Sequence, residues 1–189
     1  MNEIRPDWQA FNSLIHLEAN WERSRRRQWI ELWASTLGER FTIVAVQPPL
    51  DLVFSPWQRF WQFREWSVRR PLVKLAPNLY LYTPSIPIDF KALKPESFLY
   101  RLTQRWLGRQ FKGLWRSLDR ADQSCFELIF ATPQLPQTGL FPQTKGMIYD
   151  PLDSMPDESL SDRAKVQIDA PSSPEELMAL FEQLQAILK

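Results

Sequence analysis

Side chains suited to acid–base chemistry are scarce in this sequence. His16 is the only histidine, and it lies inside the apolar run 12–19. An imidazole titrates near neutral pH, so a His16 that projects from a strand end can act as a general base. A buried, hydrogen-bonded His16 would instead be structural. The sequence leaves both roles open.

Two carboxylates, Asp150 and Asp153, follow the short apolar run 147–149. At the end of a strand such groups can bind a sugar hydroxyl or accept a proton. They can equally cap the turn that follows, because Asp side chains readily bond nearby backbone N–H groups. Asp150 and Asp153 are therefore candidate catalytic residues with a structural alternative.

Three consecutive arginines, Arg25, Arg26 and Arg27, fall in a segment with helical periodicity. Near a helix N-terminus, which itself favours anions, they could present positive charge to a phosphate. In the alternative, they form a solvated helix face with one arginine packed along its stem. The spacing allows either interpretation.

Several common sites are missing from the sequence. It contains no GxGxxG, GxxxxGK[ST] or GxSxG motif, which argues against a dinucleotide fingerprint, a P-loop and a nucleophile elbow. Cys125 is the only cysteine, and no Cys/His cluster has zinc spacing, so we expect neither a disulfide nor a bound metal or cofactor. Without a signal peptide or an apolar run of about 18 residues, a cytoplasmic location is expected.

Alternation of strand and helix patterns predicts the fold. Apolar, β-rich runs predict strands within 12–19, 41–49, 78–88, 125–134, 147–149 and 165–171, whereas helical spacing favours helices over 21–37, 56–70, 96–119 and 174–188. Asn20 is placed to cap the first helix and Gly38 to end it. Because no Asn-Gly or Asp-Gly hairpin signal occurs, we expect a single α/β domain over 1–189. It should be Rossmann-like and three-layered, with an open, mostly parallel sheet of five to six strands.

Charge is distributed unevenly along the chain. Residues 1–121 hold 19 Lys and Arg against 11 Asp and Glu, whereas residues 122–189 hold 4 against 11. The basic half includes two aromatic, basic segments, 56–70 and 96–119, which suit an anionic membrane surface. Alternatively, their aromatics cover the sheet and their arginines face water. No nucleic-acid-binding motif accompanies them, so a nucleic-acid partner is not expected.

Three segments, taken in order, resemble a known family. IHLEANWERSRRRQWIELWASTLGERFTIVAVQPP (15–49), NLYLYTPSIPI (78–88) and GMIYDPLDSMPDE (146–158) are similar to the first domain of bacterial group 1 glycosyltransferases of the GT-B fold, including the teichuronic-acid-biosynthesis type. The resemblance implies that substrate-binding positions lie at Trp21, Arg25, Arg26, Arg27, Thr83, Pro84 and Tyr149. It places Asp150 and Asp153 at the family's Tyr-Asp-x-x-Asp.

The resemblance also implies a function. We expect a glycosyltransferase-like domain that transfers a sugar, carried by a nucleotide sugar as co-substrate, to a cell-surface polysaccharide or lipid-linked acceptor. Donor binding lies mainly in the family's second domain, and this chain matches only the first and lacks the two-glutamate donor motif. A donor-binding partner subunit, and a peripheral position at the inner face of the membrane, are therefore expected. The alternative is a non-catalytic module that binds saccharide, membrane or protein.

Overall fold

A computed structural model describes ten stretches of the chain and a few isolated helical residues near its end. The stretches are 12–17, 19–24, 26–39, 41–51, 72–86, 93–94, 96–118, 125–130, 144–150 and 166–167. The isolated residues 175–176, 179, 182–183 and 186 are helical and exposed. The helix expected over 56–70 and the apolar positions expected within 174–188 lie outside the described residues.

Strands and helices follow one another in the order that the patterns predict, with additions. The strands are β1 (Asn12–His16), β2 (Thr42–Val46), β3 (Leu50–Asp51), β4 (Leu72–Ala76), β5 (Leu79–Tyr82), β6 (Ser85–Ile86), β7 (Cys125–Phe130), β8 (Thr144–Asp150) and β9 (Val166–Gln167). The α-helices are α1 (Arg27–Leu37) and α2 (Phe98–Ser117), and a 3₁₀ turn spans Trp21–Arg23. The described chain is therefore of mixed α/β class.

The main sheet is open and mostly parallel, with the strand order β4-β5-β2-β1-β7-β8-β9. Every pairing in it is parallel except that of β4 with β5. The short strands β3 and β6 pair separately. The seventh strand, beyond the six expected, is β4, which forms a hairpin with β5 around Pro77 and Asn78. The sequence analysis did not predict this hairpin, because its turn consists of Pro-Asn and not of the Asn-Gly or Asp-Gly pair that is typical of tight hairpins.

The strands β1 and β2 form the buried centre of the sheet. All five residues of each are buried, as parallel strands covered on both faces should be. One face holds Leu14, Val44 and Val46, which cluster with Leu107, Phe111 and Leu114 of α2. By alternation, Ile15, Ile43 and Ala45 lie on the other face, and each is fully buried.

The helix α1 begins six residues later than its periodicity predicts. Asn20 precedes only the 3₁₀ turn, and its side chain makes no capping hydrogen bond. Ser24 intervenes, and its Oγ accepts from the Arg26 N–H at 3.2 Å. A serine side chain that bonds a backbone N–H close by competes with the helix, which explains the interruption at Ser24. The expected C-terminal role of Gly38 is confirmed, because it ends α1 with a φ of 66°.

The helix α2 lies within the span expected for it. Its Ser97 cap accepts from the Tyr100 N–H at 3.2 Å. The buried stripe is Thr103, Leu107, Phe111 and Leu114, whereas Leu99, Leu102 and Trp106, which the pattern also counts as apolar positions, are exposed. No helix among the described residues is both long and apolar enough to cross a membrane.

Candidate functional site at the carboxyl edge of the sheet

One row of residues crosses the main sheet where its strands end. The register links Tyr82, Val46, His16, Ile129, Tyr149 and Gln167 across six neighbouring strands. From β1 the chain moves outward through β2 to β5, and then returns to the other side of β1 to form β7 and β8. In open parallel sheets, ligands bind beyond the carboxyl ends of the strands where the order reverses in this way.

His16 occupies the centre of that row. It is the last residue of β1, and it pairs in register with Val46 on one side and Ile129 on the other. Its side chain is 6% exposed. His16 therefore stands at the edge that a ligand would approach, but it presents little surface there.

Gln47 joins the loops that follow three neighbouring strands. Its backbone N–H donates to Tyr82 O at 2.9 Å, which extends the β2–β5 ladder by one residue. Its side-chain Oε1 accepts from the Trp21 N–H at 3.5 Å, and its Nε2 donates to Thr83 Oγ1 at 3.4 Å. Both side-chain distances are long, so each bond is weak. Together they tie the loops after β1, β2 and β5 to one amide.

Trp21 and Arg27 form a second link at this edge. Trp21 is 5% exposed, and the Arg27 guanidinium lies 5.7 Å from the centroid of its ring. Arg27 also pairs with Glu31 and with Glu22, each at 2.9 Å. The hydrogen bond that Arg27 donates to Glu31, the negative charge of Glu31 and the weaker effect of Glu22 raise the pKa of Arg27. An incoming phosphate would have to compete with two carboxylates.

The two described arginines of this run, Arg26 and Arg27, have different surroundings. Arg26 is the N-cap residue of α1, half-buried, and its carbonyl accepts from the Ile30 N–H at 2.9 Å. Arg27 is the first residue of α1 and is engaged as above. Arg25 lies outside the described residues. Phosphate binding by the three arginines therefore stays a prediction, and the structure describes two of the side chains that it involves.

The other residues assigned through the resemblance also reach this edge. Thr83 and Pro84 directly follow β5; Thr83 is half-buried and Pro84 is buried. Tyr149 and Asp150 are the last two residues of β8, with Asp150 in register with Phe130. Asp153 lies outside the described residues. The structure thus brings the ends of β1, β5 and β8 to one edge.

An open cleft of about 350 Å³ lies beside the end of β5, between the sheet and α2. Its walls are mostly apolar and include one indole; they are formed by Leu72, Tyr82, Ser85, Trp106, Gln110, Gly113, Leu114 and Ser117. Tyr82 and Ser85 flank the Thr83-Pro84 pair. The cleft therefore adjoins the loop that Gln47 holds.

Burial raises the pKa of the Tyr82 phenol to about 12, so it is protonated at neutral pH.

Sequence reasoning missed the two glutamines that organise this region, Gln47 and Gln110. Gln110 Nε2 donates to Ser85 O at 2.7 Å, and its Oε1 accepts from the Ser85 N–H at 3.1 Å. A glutamine directly after an apolar strand was a usable signal for Gln47. Nothing local marks Gln110, because its partner is 25 residues away. Within the described ranges, no group of three or more His, Cys, Asp or Glu side chains is arranged to hold a metal ion.

Comparisons with family models, with curated proteins and with solved structures found no match for this chain.

Proposed function

We propose that this chain is a glycosyltransferase-like domain, the acceptor-side half of an enzyme that transfers a sugar to a polysaccharide or lipid-linked acceptor. One observation carries the proposal. The three segments that resemble the family contribute His16, Tyr82 and Tyr149 to the same row at the carboxyl edge of one sheet. His16 and Tyr149, more than a hundred positions apart in the sequence, thus lie at the same edge, where α/β domains bind ligands.

The strand order supports the finer description of this domain as Rossmann-like and three-layered. The order reverses at β1, as in dinucleotide-binding folds. The helix α2 covers the face that carries Leu14 and Val44, while Ile15 and Ile43 on the other face are also fully buried. The connection from β1 to β2 runs through α1, and a right-handed crossover would place α1 on that second face.

The cleft beside β5 supports saccharide binding at this edge. An indole face, here Trp106, can stack on the apolar face of a sugar ring, and the hydroxyls of Tyr82 and Ser85 lie on the same walls. Such a mixture of apolar walls and a few polar groups is usual for small-molecule sites. We assign Asp150, at the end of β8, as the general base. Because β8 lies four strands from β5 in the sheet, the acceptor would have to extend along this edge from the cleft to reach it. The nucleotide sugar would come with a donor-binding partner subunit.

A second candidate is a saccharide-binding module without catalysis. Burial of His16 and Trp21, together with the two ion pairs of Arg27, favours it. In this case the residues assigned through the resemblance would stabilise the edge rather than react. The cleft would still bind a sugar, but no transfer would follow.

The test is transfer of radiolabelled sugar from a set of nucleotide sugars to extracted lipid-linked acceptors. The chain is assayed alone and together with a separately expressed donor-binding protein encoded beside it. We expect transfer only in the mixture, and a loss of roughly a hundredfold or more in the Asp150→Asn variant. The matched control is Glu39→Gln, an exposed carboxylate at the opposite edge of the sheet, which should leave transfer unchanged.

Three outcomes separate the candidates. Transfer that depends on Asp150 supports the enzyme. Absence of transfer in both settings, with saccharide binding that Trp106→Ala weakens, supports the binding module and rejects the enzyme. Absence of both transfer and saccharide binding rejects both proposals.

A further inference from the structure

The outer face of α2 carries a continuous basic stripe. Five cationic side chains are exposed along the helix, namely Arg101, Arg105, Arg109, Lys112 and Arg116, and the helix contains no acidic residue. Among the described residues, none of the five pairs with a carboxylate, in contrast to Arg27, which pairs with two. Basic groups held close together without counter-charges create a field that attracts an anionic partner.

A stripe of large apolar side chains runs beside the basic one. Phe98 is 74% exposed, and Leu99, Leu102 and Trp106 are each 45–47% exposed. They occupy the N-terminal half of the helix. Solvated helix faces rarely carry this much contiguous apolar surface without a binding role.

Helix geometry lets both stripes meet one flat surface. At about 100° per residue, the centres of the two stripes are roughly 70° apart around the helix. The direction midway between them points nearly opposite to the buried stripe of Thr103, Leu107, Phe111 and Leu114. A planar surface laid against the side of α2 that faces away from the sheet would therefore touch both stripes at once. We call these nine residues, Phe98, Leu99, Leu102, Trp106 and the five cations, the docking face; Trp106 lies at its border and also lines the cleft.

We propose that the docking face binds the protein to an anionic membrane surface, with the apolar stripe entering the interface and the cations contacting lipid phosphates. An amphipathic helix with a basic polar side and Phe, Leu and Trp on the other suits this position. A second copy of the chain fits poorly, because two faces of like charge repel each other. A nucleic acid fits less well: Phe98 and Trp106 could stack on bases, but the exposed aliphatic side chains Leu99 and Leu102 would not, whereas all four can enter a lipid interface. The proposal does not depend on glycosyl transfer.

Vesicle flotation tests the proposal. The full chain is mixed with vesicles of phosphatidylcholine alone or of phosphatidylcholine with phosphatidylglycerol. We expect flotation only with the anionic vesicles, and its loss between about 0.1 M and about 1 M salt, because salt screens exposed charges. Lipid titration of the same samples gives the partition coefficient for each variant.

Substitutions in the basic stripe and in the apolar stripe should each weaken partitioning of the protein into anionic vesicles. Arg105→Gln should weaken it about fivefold, and the triple change of Arg101, Arg105 and Arg109 to Gln roughly a hundredfold. Phe98→Ser with Leu102→Ser should weaken it about tenfold through lost apolar burial. The matched control, Arg23→Gln, removes one exposed cation outside the docking face and should leave flotation unchanged. Circular dichroism melts establish that each variant is folded.

Three outcomes would overturn the proposal. The first is flotation that the triple arginine variant retains. This includes the case in which changing Trp57, Trp61 and Trp66 to Ala abolishes flotation, because the aromatic, basic segment 56–70 would then be the anchor. The second is equal flotation with neutral and anionic vesicles. The third is retention of the protein on a single-stranded oligonucleotide with no flotation at either lipid composition.

Discussion

Gln110 pairs with Ser85 through both ends of its side-chain amide. Its Nε2 donates to Ser85 O at 2.7 Å while its Oε1 accepts from the Ser85 N–H at 3.1 Å, so the amide takes the place of a neighbouring strand residue. Oε1 also accepts from Ser85 Oγ at 3.3 Å. This contact fixes α2 to the loop that leaves β5 and forms one wall of the cleft.

Gln110→Ala should destabilise the protein by about 1–3 kcal/mol, because it leaves the backbone groups of the buried Ser85 without partners. The measurement is urea unfolding followed by circular dichroism. The matched control is Gln104→Ala on the same helix, whose side chain makes no hydrogen bond within the described chain. A change within about 0.5 kcal/mol is expected there. Equal effects of the two substitutions would contradict the assigned role of Gln110.

Asn78 joins the end of α1 to the start of β5. Its Nδ2 donates to Ala34 O at 2.9 Å and to Gly38 O at 2.7 Å, and the residue is 5% exposed. Asn78→Ala should cost about 2–3 kcal/mol, because both hydrogen bonds would be lost and Gly38 O would keep only the longer bond from the Phe41 N–H at 3.4 Å. Asn78→Asp should cost more, since a carboxylate would face those carbonyls at the negative end of a helix. Thermal melts provide the comparison.

Asn20 supplies a contrast within the same experiment. It is exposed and makes no capping hydrogen bond, although its position before a helical segment suggests one. Asn20→Ala should therefore change the free energy of unfolding by less than about 0.5 kcal/mol. A loss of about 1 kcal/mol or more would mean that Asn20 caps the segment after all.

Two glycines, Gly38 and Gly113, should respond to alanine with opposite signs. Gly38 adopts φ 66° and ψ −171°, a region that is almost restricted to glycine, so Gly38→Ala should destabilise by about 1–3 kcal/mol. Gly113 lies exposed within α2, and an added Cβ would meet nothing within 4 Å. Gly113→Ala should stabilise by about 0.5–1 kcal/mol through higher helix propensity. Two effects of the same sign would contradict these backbone assignments.

Tyr82 should make stability depend on alkaline pH. Burial raises its pKa from 10.0 to about 12, so the folded state holds the phenol proton more tightly than the unfolded state does. The contribution is complete below pH 10 and is lost as the pH rises through about 12, for a total of roughly 2–3 kcal/mol. Unfolding free energies measured across this range should fall in the native chain.

The Tyr82→Phe variant provides the control for that titration. It retains the aromatic ring, whose centroid lies 5.4 Å from that of Phe111, but it has no phenol proton. The part of the decline that comes from Tyr82 should disappear in this variant. An identical decline in both proteins would show that other groups cause the loss.

The sequence by itself determined the class of the fold and the position of most of its elements. The apolar runs within 12–19 and 41–49 predict buried strands, and the strands found there, β1 and β2, occupy the centre of the sheet. Helical spacing over 96–119 predicts α2 to within a few residues at each end. These features depend on local periodicity and backbone preference, which short stretches of sequence record directly. The glycosyltransferase resemblance stays a prediction, because no comparison bears on it.

Only the tertiary structure decided how those elements are combined. It added the antiparallel β4, moved the start of α1 to Arg27 and placed the apolar stripe of α2 away from the core. It also revealed the links from Gln47 to Thr83, from Asn78 to Gly38 and from Gln110 to Ser85, which span 36, 40 and 25 residues. Such contacts depend on the order in which the strands pair, and the periodicity within one segment does not predict that order.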